Sequence, residues 1–291
     1  MAWRCQTVVD EQKSAKPGCL YICGTPIGNL EDITLRALKV LQNVDYIAAE
    51  DTRQTLKLLN HYDIHKTLIS CHEHNEKQRA EEIVNLMSEG FSVALVTDAG
   101  MPVTSDPGSV VVEAVHRAGM PVSVIPGPTA VSAALALSGF SGDRYVFEGF
   151  LPRNKKERRS RLEALKYERR TVVLYEAPHR LLTTLDDLSV WLGDRPVAVV
   201  REITKIHEQV LRGTIGEMIM HFKDIQPRGE FVLVLKGYEG AEVQDADDGM
   251  TVEQRISAYM QRGMSKKDAI KQVAADTGLP KNEVYKKALL L

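Results

Sequence analysis

The chain has 291 residues, of which 44% are hydrophobic, a length and composition typical of two domains with a sizeable core. Its formal net charge of −2 argues against wholesale binding of free nucleic acid, although it leaves room for a local basic patch. No apolar run is long enough to span a membrane, and Cys5, Cys19, Cys23 and Cys71 match no zinc-binding spacing, so we expect a reduced cytoplasmic protein with neither a membrane partner nor a metal site.

Residues 1–16 are polar and lack the apolar segment of a signal peptide, so we interpret them as a disordered leader. Strand-like and helix-like segments then alternate over residues 17–150, which predicts an N-terminal α/β domain with a mostly parallel sheet. Its predicted strands are 20–23, 44–49, 68–70, 91–96, 122–125 and 145–147. Its predicted helices are 33–41, 52–60, 75–88, 109–116 and 128–137.

Residues 151–238 predict a second α/β domain, which opens with the charged segment 153–161. Its predicted strands are 171–175, 196–200, 208–211 and 231–235, and its predicted helices are 179–191 and 215–222. Because strands outnumber helices here, we expect a mixed sheet.

Residues 239–250 are acidic without a basic residue and read as a linker. Residues 251–291 contain three short helical patterns, 252–261, 266–276 and 281–290, separated by tight turns. This arrangement predicts a helix-turn-helix-like module, with a small packing or dimerisation bundle as the alternative.

The most informative segment is the acidic loop, residues 97–108, which follows a buried strand and precedes a helix. Ligands of open α/β sheets lie at this end of the strands. Two further Gly/Pro-rich loops, residues 24–29 and 126–130, follow strands of the same sheet, so together they predict a cleft for an elongated ligand. None of the three loops supplies a basic side chain, so a nucleoside-bearing cation fits this cleft better than a polyphosphate.

These loops, together with Tyr-Glu-Ala-Pro-His-Arg at 175–180 and Arg-Glu-Ile-Thr-Lys at 201–205, resemble the tetrapyrrole-methylase superfamily. The resemblance covers residues 17–238 and is greatest to the branch that acts on small-subunit ribosomal RNA. It implies 2′-O-methylation of a cytidine ribose in 16S rRNA of the small ribosomal subunit, with S-adenosylmethionine as methyl donor. It also implies a homodimer and a cleft between the two α/β domains, and the C-terminal module resembles an appendage found on many members.

The resemblance also implies which residues bind the donor. Carried over position by position, they are Pro26, Asp98, Ala99, Gly100, Met101, Thr104, Thr129, Ala130, Glu176 and Ile203. The first loop departs from the pattern of tetrapyrrole-acting relatives because Thr25, Ile27 and Asn29 stand among its glycines, which disfavours a porphyrin-like acceptor.

A ribose hydroxyl is a poor nucleophile, so a general base would help methyl transfer. The candidates are His72, Glu73, Asp98, Glu176, Glu202 and Lys205. We expect Glu202 and Lys205 to activate or position the ribose, with a surface ion pair as the alternative. His72 and His74 are two positions apart and have no third ligand at a recognised spacing, which is weak evidence for a metal site. A helix start capped by Asn75 explains these residues equally well.

RNA binding requires positive charge, and residues 153–170 are strongly basic. We predict that this segment contacts phosphates, with a solvated helix face as the alternative. The predicted RNA-binding residues are Arg153, Lys155, Lys156, Arg158, Arg159 and Arg161. Two other functions stay open, a methylase of a small molecule such as a tetrapyrrole and a non-catalytic ribosome-assembly factor.

Overall fold

The computed structural model describes residues 15–240, 251–261, 263–277, 279 and 281–288. The predicted leader therefore lies outside the described residues except for its last two positions, as does the predicted linker beyond residue 240. The chain forms two compact units, Met1–Tyr238 and Glu239–Leu291.

Within the described residues, the first sheet has five parallel strands in the order β3-β2-β4-β1-β5. Its strands are β1 (Leu20–Cys23), β2 (Tyr46–Ala49), β3 (Thr67–Ser70), β4 (Val93–Val96) and β5 (Val122–Ile125). The helices of this half are α1 (Leu35–Asn43), α2 (Thr52–His61), α3 (Glu76–Ser88), α4 (Ser109–Arg117) and α5 (Ala130–Ser138). All of β4 is buried because helices cover both faces of the sheet, as its continuous apolar run predicts.

The second sheet has five strands among the described residues, in the order β6-β7-β10-β8-β9, and is mixed as predicted. Its strands are β6 (Tyr145–Phe150), β7 (Thr171–Glu176), β8 (Pro196–Arg201), β9 (Gln209–Thr214) and β10 (Phe231–Leu235). Its helices are α6 (Lys155–Leu165), α7 (Leu181–Leu192) and α8 (Ile215–Lys223).

Helix α5 joins the two sheets into one unit. Its residues Val131, Ala134 and Leu135 pack against the second sheet, where they meet Val173 and Val232. The helix follows the last strand of the first sheet, so it belongs to one half by sequence and covers the other half by packing.

One prediction about residues 145–165 was wrong. Strand β6 was expected to close the first domain at residue 150, but it pairs in parallel with β7 and forms the edge of the second sheet. The charged segment at the domain boundary, for which a helix was the alternative, contains helix α6. The helix forms because the Asn154 side chain accepts hydrogen bonds from the first-turn amides, and it buries only Leu162 and Leu165.

The C-terminal unit contains three helices within its described residues, α9 (Val252–Gln261), α10 (Lys266–Thr277) and α11 (Lys281–Ala288), as predicted. Residues 289–291 lie outside the described chain. A small core of Ile256, Ile270, Val273 and Val284 holds the helices together. In the part of the chain that the structure describes, no helix has the length and apolar character needed to cross a membrane.

Candidate functional site

The three Gly/Pro-rich loops meet at the carboxyl edge of the first sheet, as predicted. Thr25 and Gly100 exchange backbone hydrogen bonds of 2.9 and 3.1 Å, and the Thr25 hydroxyl donates to the Thr97 carbonyl at 3.0 Å. Gly24 and Gly127 approach so closely that a Cβ on Gly24 would lie 2.7 Å from the Gly127 Cα. The first loop is therefore fixed to both of the others.

Between these loops and the second sheet lies a cleft of about 300 Å³. Its walls come from both α/β domains and combine apolar side chains with a high density of carboxylates. The carboxylate-bearing lining residues are Glu50, Asp98, Asp106, Glu176, Glu202 and Glu230.

Backbone strain is concentrated on two loops that line this cleft. Val103 and Ser105 in the acidic loop have φ of 76° and 63°, and Glu202 and Thr204 after β8 have φ of 51° and 63°. Residues other than glycine rarely adopt positive φ, and such strain is found most often at functional sites.

The far end of the acidic loop is held by a buried carboxylate on α3. Glu76, only 7% exposed, accepts hydrogen bonds of 2.8 Å from the amides of Gly108 and Val110. These amides stand at the start of α4, where a negative charge is stabilised by the helix dipole. Glu76 thereby fixes the loop that carries half of the implied donor-binding residues.

The structure brings the implied donor-binding residues together in the cleft, apart from Pro26. The residues that line it are Asp98, Ala99, Gly100, Met101, Thr104, Thr129, Ala130, Glu176 and Ile203. Pro26 lies between the bridged Thr25 and the lining residue Ile27.

The Glu176 carboxylate is committed to protein contacts. It accepts hydrogen bonds from the Ala177 amide at 2.9 Å and from the Thr184 hydroxyl, and Arg180 Nε lies 3.4 Å away. Its side chain is 0% exposed, so Glu176 presents its backbone rather than a free base to the cleft.

Glu202 and Lys205 both line the cleft and form the predicted pair. The Lys205 ammonium donates to Glu202 Oε1 at 3.0 Å, with the two side chains 40% and 24% exposed. This pair therefore faces the space that a ligand would occupy, and not only bulk solvent.

Asp106 lines the cleft, although the sequence analysis assigned no role to it. Burial, followed by the negative charges of Glu50, Asp98 and Glu230, raises its pKa to about 7. Burial also raises the pKa of Glu50 and of Asp98. The sequence signal was weak because this carboxylate cluster exists only after the ends of β2, β4 and β10 are brought together.

Residues 71–75, which contain His72 and His74, form a turn before α3, as expected for the start of a helix. Asn75 occupies the N-cap position, but its side chain makes no capping hydrogen bond to the helix. Its side chain accepts from the His72 amide at 2.8 Å and donates to the Ser70 carbonyl at 3.1 Å, which closes the turn. Within the described residues, no group of three or more potential ligands is arranged to hold a metal ion.

The basic segment divides into exposed and structural residues. Arg153, Lys155 and Lys156 are exposed on and before the first turn of α6. Arg159 lies over the Trp191 ring at 5.3 Å, and Arg161 forms an ion pair of 3.3 Å with Glu148.

The prediction that Arg158 contacts RNA is contradicted. Its side chain is 12% exposed, and it donates to Asp187 at 2.7 Å and to Thr184 at 2.8 Å. Arg158 therefore holds α6 against α7, because the helix turns this position toward the domain.

Two α/β domains enclose a cleft of glycine-rich loops, and comparison of the sequence with known families identifies the class of protein with this fold. Residues 19–219 match the family described as Tetrapyrrole (Corrin/Porphyrin) Methylases, and residues 246–291 match the RsmI C-terminal HTH domain. The chain therefore belongs to the tetrapyrrole methylase family.

Within this family, the chain groups with proteins named Ribosomal RNA small subunit methyltransferase I. It is 45% identical to the Bacillus subtilis protein over 92% of this chain and 93% of the relative, and 44% identical to the Escherichia coli O157:H7 protein over 94% and 95%. The Thermotoga maritima protein is 54% identical over 76% of this chain and 100% of its own length.

Solved structures support the fold. The methyltransferase CobJ has a TM-score of 0.60 at 18% identity, covering 78% of this chain and 97% of its own. The cobalt precorrin-4 methyltransferase CbiF has a TM-score of 0.57 at 21% identity, covering 75% and 95%.

Proposed function

We propose that this chain transfers the methyl group of S-adenosylmethionine to the 2′-oxygen of a cytidine ribose in 16S rRNA of the small ribosomal subunit. The observation that carries the proposal is a carboxylate-rich cleft, lined by nine of the ten residues implied for donor binding, in a chain that groups with small-subunit rRNA methyltransferases. We propose further that the protein is a homodimer, as its family resemblance implies, and that it acts in the cytoplasm, as its cysteine pattern indicates.

The residues of the cleft suit this donor. Asp98 and its neighbouring carboxylates favour a positively charged sulfonium, while Ile27, Met101 and Ala130 offer apolar surface to its nucleoside. A single basic side chain, Lys205, stands among the residues described as lining the cleft, which disfavours a polyphosphate ligand. When bound, S-adenosylmethionine supplies an electrophilic methyl group, and the residues implied above hold it in the cleft.

Transfer would form a bond between the 2′-oxygen and the methyl carbon as the methyl–sulfur bond breaks, which would leave the donor as an uncharged thioether. The acceptor hydroxyl must lose its proton in this step. Asp106 is well suited to accept that proton, because its raised pKa of about 7 lies near the working pH. Glu202 and Lys205 position the ribose, and the rigid acidic loop keeps the reacting groups aligned.

Exposed Arg153, Lys155 and Lys156 contact phosphates around the target nucleotide. Phosphate contacts set the register of the RNA without reading its sequence. The modest net charge of −2 fits a structured ribonucleoprotein better than any free RNA.

The test is to incubate the purified protein and tritium-labelled S-adenosylmethionine with small ribosomal subunits from a strain that lacks this activity. We expect label on one cytidine ribose, located by nuclease mapping. Donor binding without label on the subunits would contradict the proposal and direct attention to a small-molecule acceptor or a non-catalytic assembly role. If neither Glu202→Ala nor Lys205→Ala reduced labelling while both stayed folded, the role of that pair would be wrong.

A further inference from the structure

Strand β6 carries a β-bulge where it reaches the cleft. Phe147 pairs with Val173 and Gly149 with Leu174, so Glu148 is an extra residue in the register. Phe147 and Phe150 are three positions apart and would lie on opposite faces of a regular strand. The bulge instead brings both rings against Tyr175, in keeping with the use of bulges to re-aim side chains beside active sites.

The bulge is locked against the acidic loop. Gly149 has a φ of 61°, and a Cβ there would lie 2.8 Å from the Ser105 hydroxyl oxygen. A side chain at this position would therefore displace the loop or the strand. Phe150, the next residue, is held beside the part of the loop that carries Asp106.

Phe150 is an exposed ring on a rigid aromatic base. Its centroid lies 5.6 Å from that of Tyr175, which lies 4.9 Å from that of Phe147, and both contacts are edge-to-face. Phe150 is nevertheless 51% exposed and lines the cleft. A large apolar ring held open to solvent in this way offers a stacking surface for a flat ligand.

The position of Phe150 favours the RNA acceptor over the donor. Eight of the ten residues implied for donor binding, from Pro26 to Ala130, lie on loops of the first sheet, whereas Phe150 ends the edge strand of the second sheet. The exposed basic residues begin three positions later, at Arg153. Phe150 therefore lies between the cleft and the segment proposed to bind phosphates. From this position its ring can contact the base of a nucleotide whose phosphates are bound outside the cleft.

We propose that Phe150 stacks on the nucleobase of the nucleotide that is methylated and so holds its ribose at the cleft. This inference rests on the proposed function. Aromatic side chains recognise unstacked RNA bases in this manner, and every base offers a π-face. The target nucleotide therefore leaves its own stack when it binds.

The test compares three variants in the methylation assay with small ribosomal subunits. Phe150→Leu keeps an apolar side chain but removes the ring, and Phe150→Trp restores an aromatic surface. Phe91→Leu is the matched control, because Phe91 is 36% exposed, contacts Tyr46 edge-to-face at 5.5 Å, and precedes β4 at the sheet edge opposite the acidic loop.

We expect Phe150→Leu to raise the KM for the subunit by about 10- to 100-fold, with smaller changes in kcat and in the Kd of the donor. Phe150→Trp and Phe91→Leu should stay near the parent protein. A raised donor Kd with an unchanged subunit KM would overturn the inference by assigning the ring to the donor. Equal KM values in Phe150→Leu and the parent would overturn it as well, whereas failure of the parent protein to label subunits would overturn the proposed function itself.

Discussion

The Asp106 carboxyl lies among Glu50, Asp98 and Glu230, and this crowding governs its protonation. If Asp106 accepts the ribose proton, the methylation rate should rise with pH as this carboxyl ionises, because only the ionised form is a base. Its pKa is about 7 in the protein without ligand, and a bound sulfonium cation should lower it. Asp106→Asn should lower kcat by about 10²- to 10⁴-fold and remove this rise. Single-turnover methylation across pH 5–9 provides the measurement, and a parental pH profile in the variant would contradict the role.

Ionisation of the Asp106 carboxyl should raise the methylation rate but lower the stability of the folded protein. The unfolded chain ionises Asp106 near its ordinary pKa of about 4, whereas the folded chain retains the proton up to about pH 7. Folding therefore loses stability as pH rises between these values. Asp106→Asn should have a higher Tm than the parent at pH 8 and a similar Tm at pH 4, as measured by thermal unfolding, and this also confirms that the variant is folded.

Glu76 is a second residue whose contribution to stability can be assigned to particular contacts. Its carboxylate accepts hydrogen bonds from two amides at the start of α4. Glu76→Ala should destabilise the protein by about 1–3 kcal/mol, since it leaves these buried donors without their partner. Urea unfolding measures the loss. Glu73→Ala is the control, as Glu73 is exposed in the same segment, and an equal loss in both variants would contradict the assignment.

At the scale of elements, helix α6 combines Arg158, which holds the fold, with the exposed Lys155 and Lys156, for which we propose RNA binding. The double variant Lys155→Ala with Lys156→Ala should bind the subunit more weakly. It should also lower the slope of log Kd against log salt by about 1–2, because each phosphate contact contributes about one to that slope. Donor binding should not change. Alanine at the exposed Lys39 and Lys223, on α1 and α8, is the matched control, and an equal loss there would indicate nonspecific attraction.

Most elements were predictable because the parallel strands are short, mostly apolar runs between turn signals. The predicted bounds of β5 and β10 match those observed. Sheet membership was not predictable for β6, since alternation reveals a strand but not its partner. The roles proposed for Asp106 and Phe150 were likewise not predictable from the sequence. One depends on carboxylates from distant segments, and the other on a bulge that periodicity does not show.

At the scale of the whole molecule, the C-terminal unit is separable in sequence. The Thermotoga maritima relative aligns over 100% of its length with only 76% of this chain, and the first unit here has its own cores. A protein ending at residue 240 should therefore unfold cooperatively and bind S-adenosylmethionine with the parental Kd. Calorimetry of unfolding and of binding tests this, and a truncated chain that fails to fold would contradict it.

Helix α5 gives the first unit a mechanical property. The helix follows β5 of the first sheet, and its Val131, Ala134 and Leu135 pack on the second sheet. It therefore connects the two halves and limits their relative movement. Ile27 of the first loop packs against the same apolar cluster, so hinge bending would have to expose that contact, which makes wide opening unfavourable. The cleft is therefore preorganised, and a ligand can bind with little ordering of the protein. A cleft of fixed width also selects its ligands by their shape.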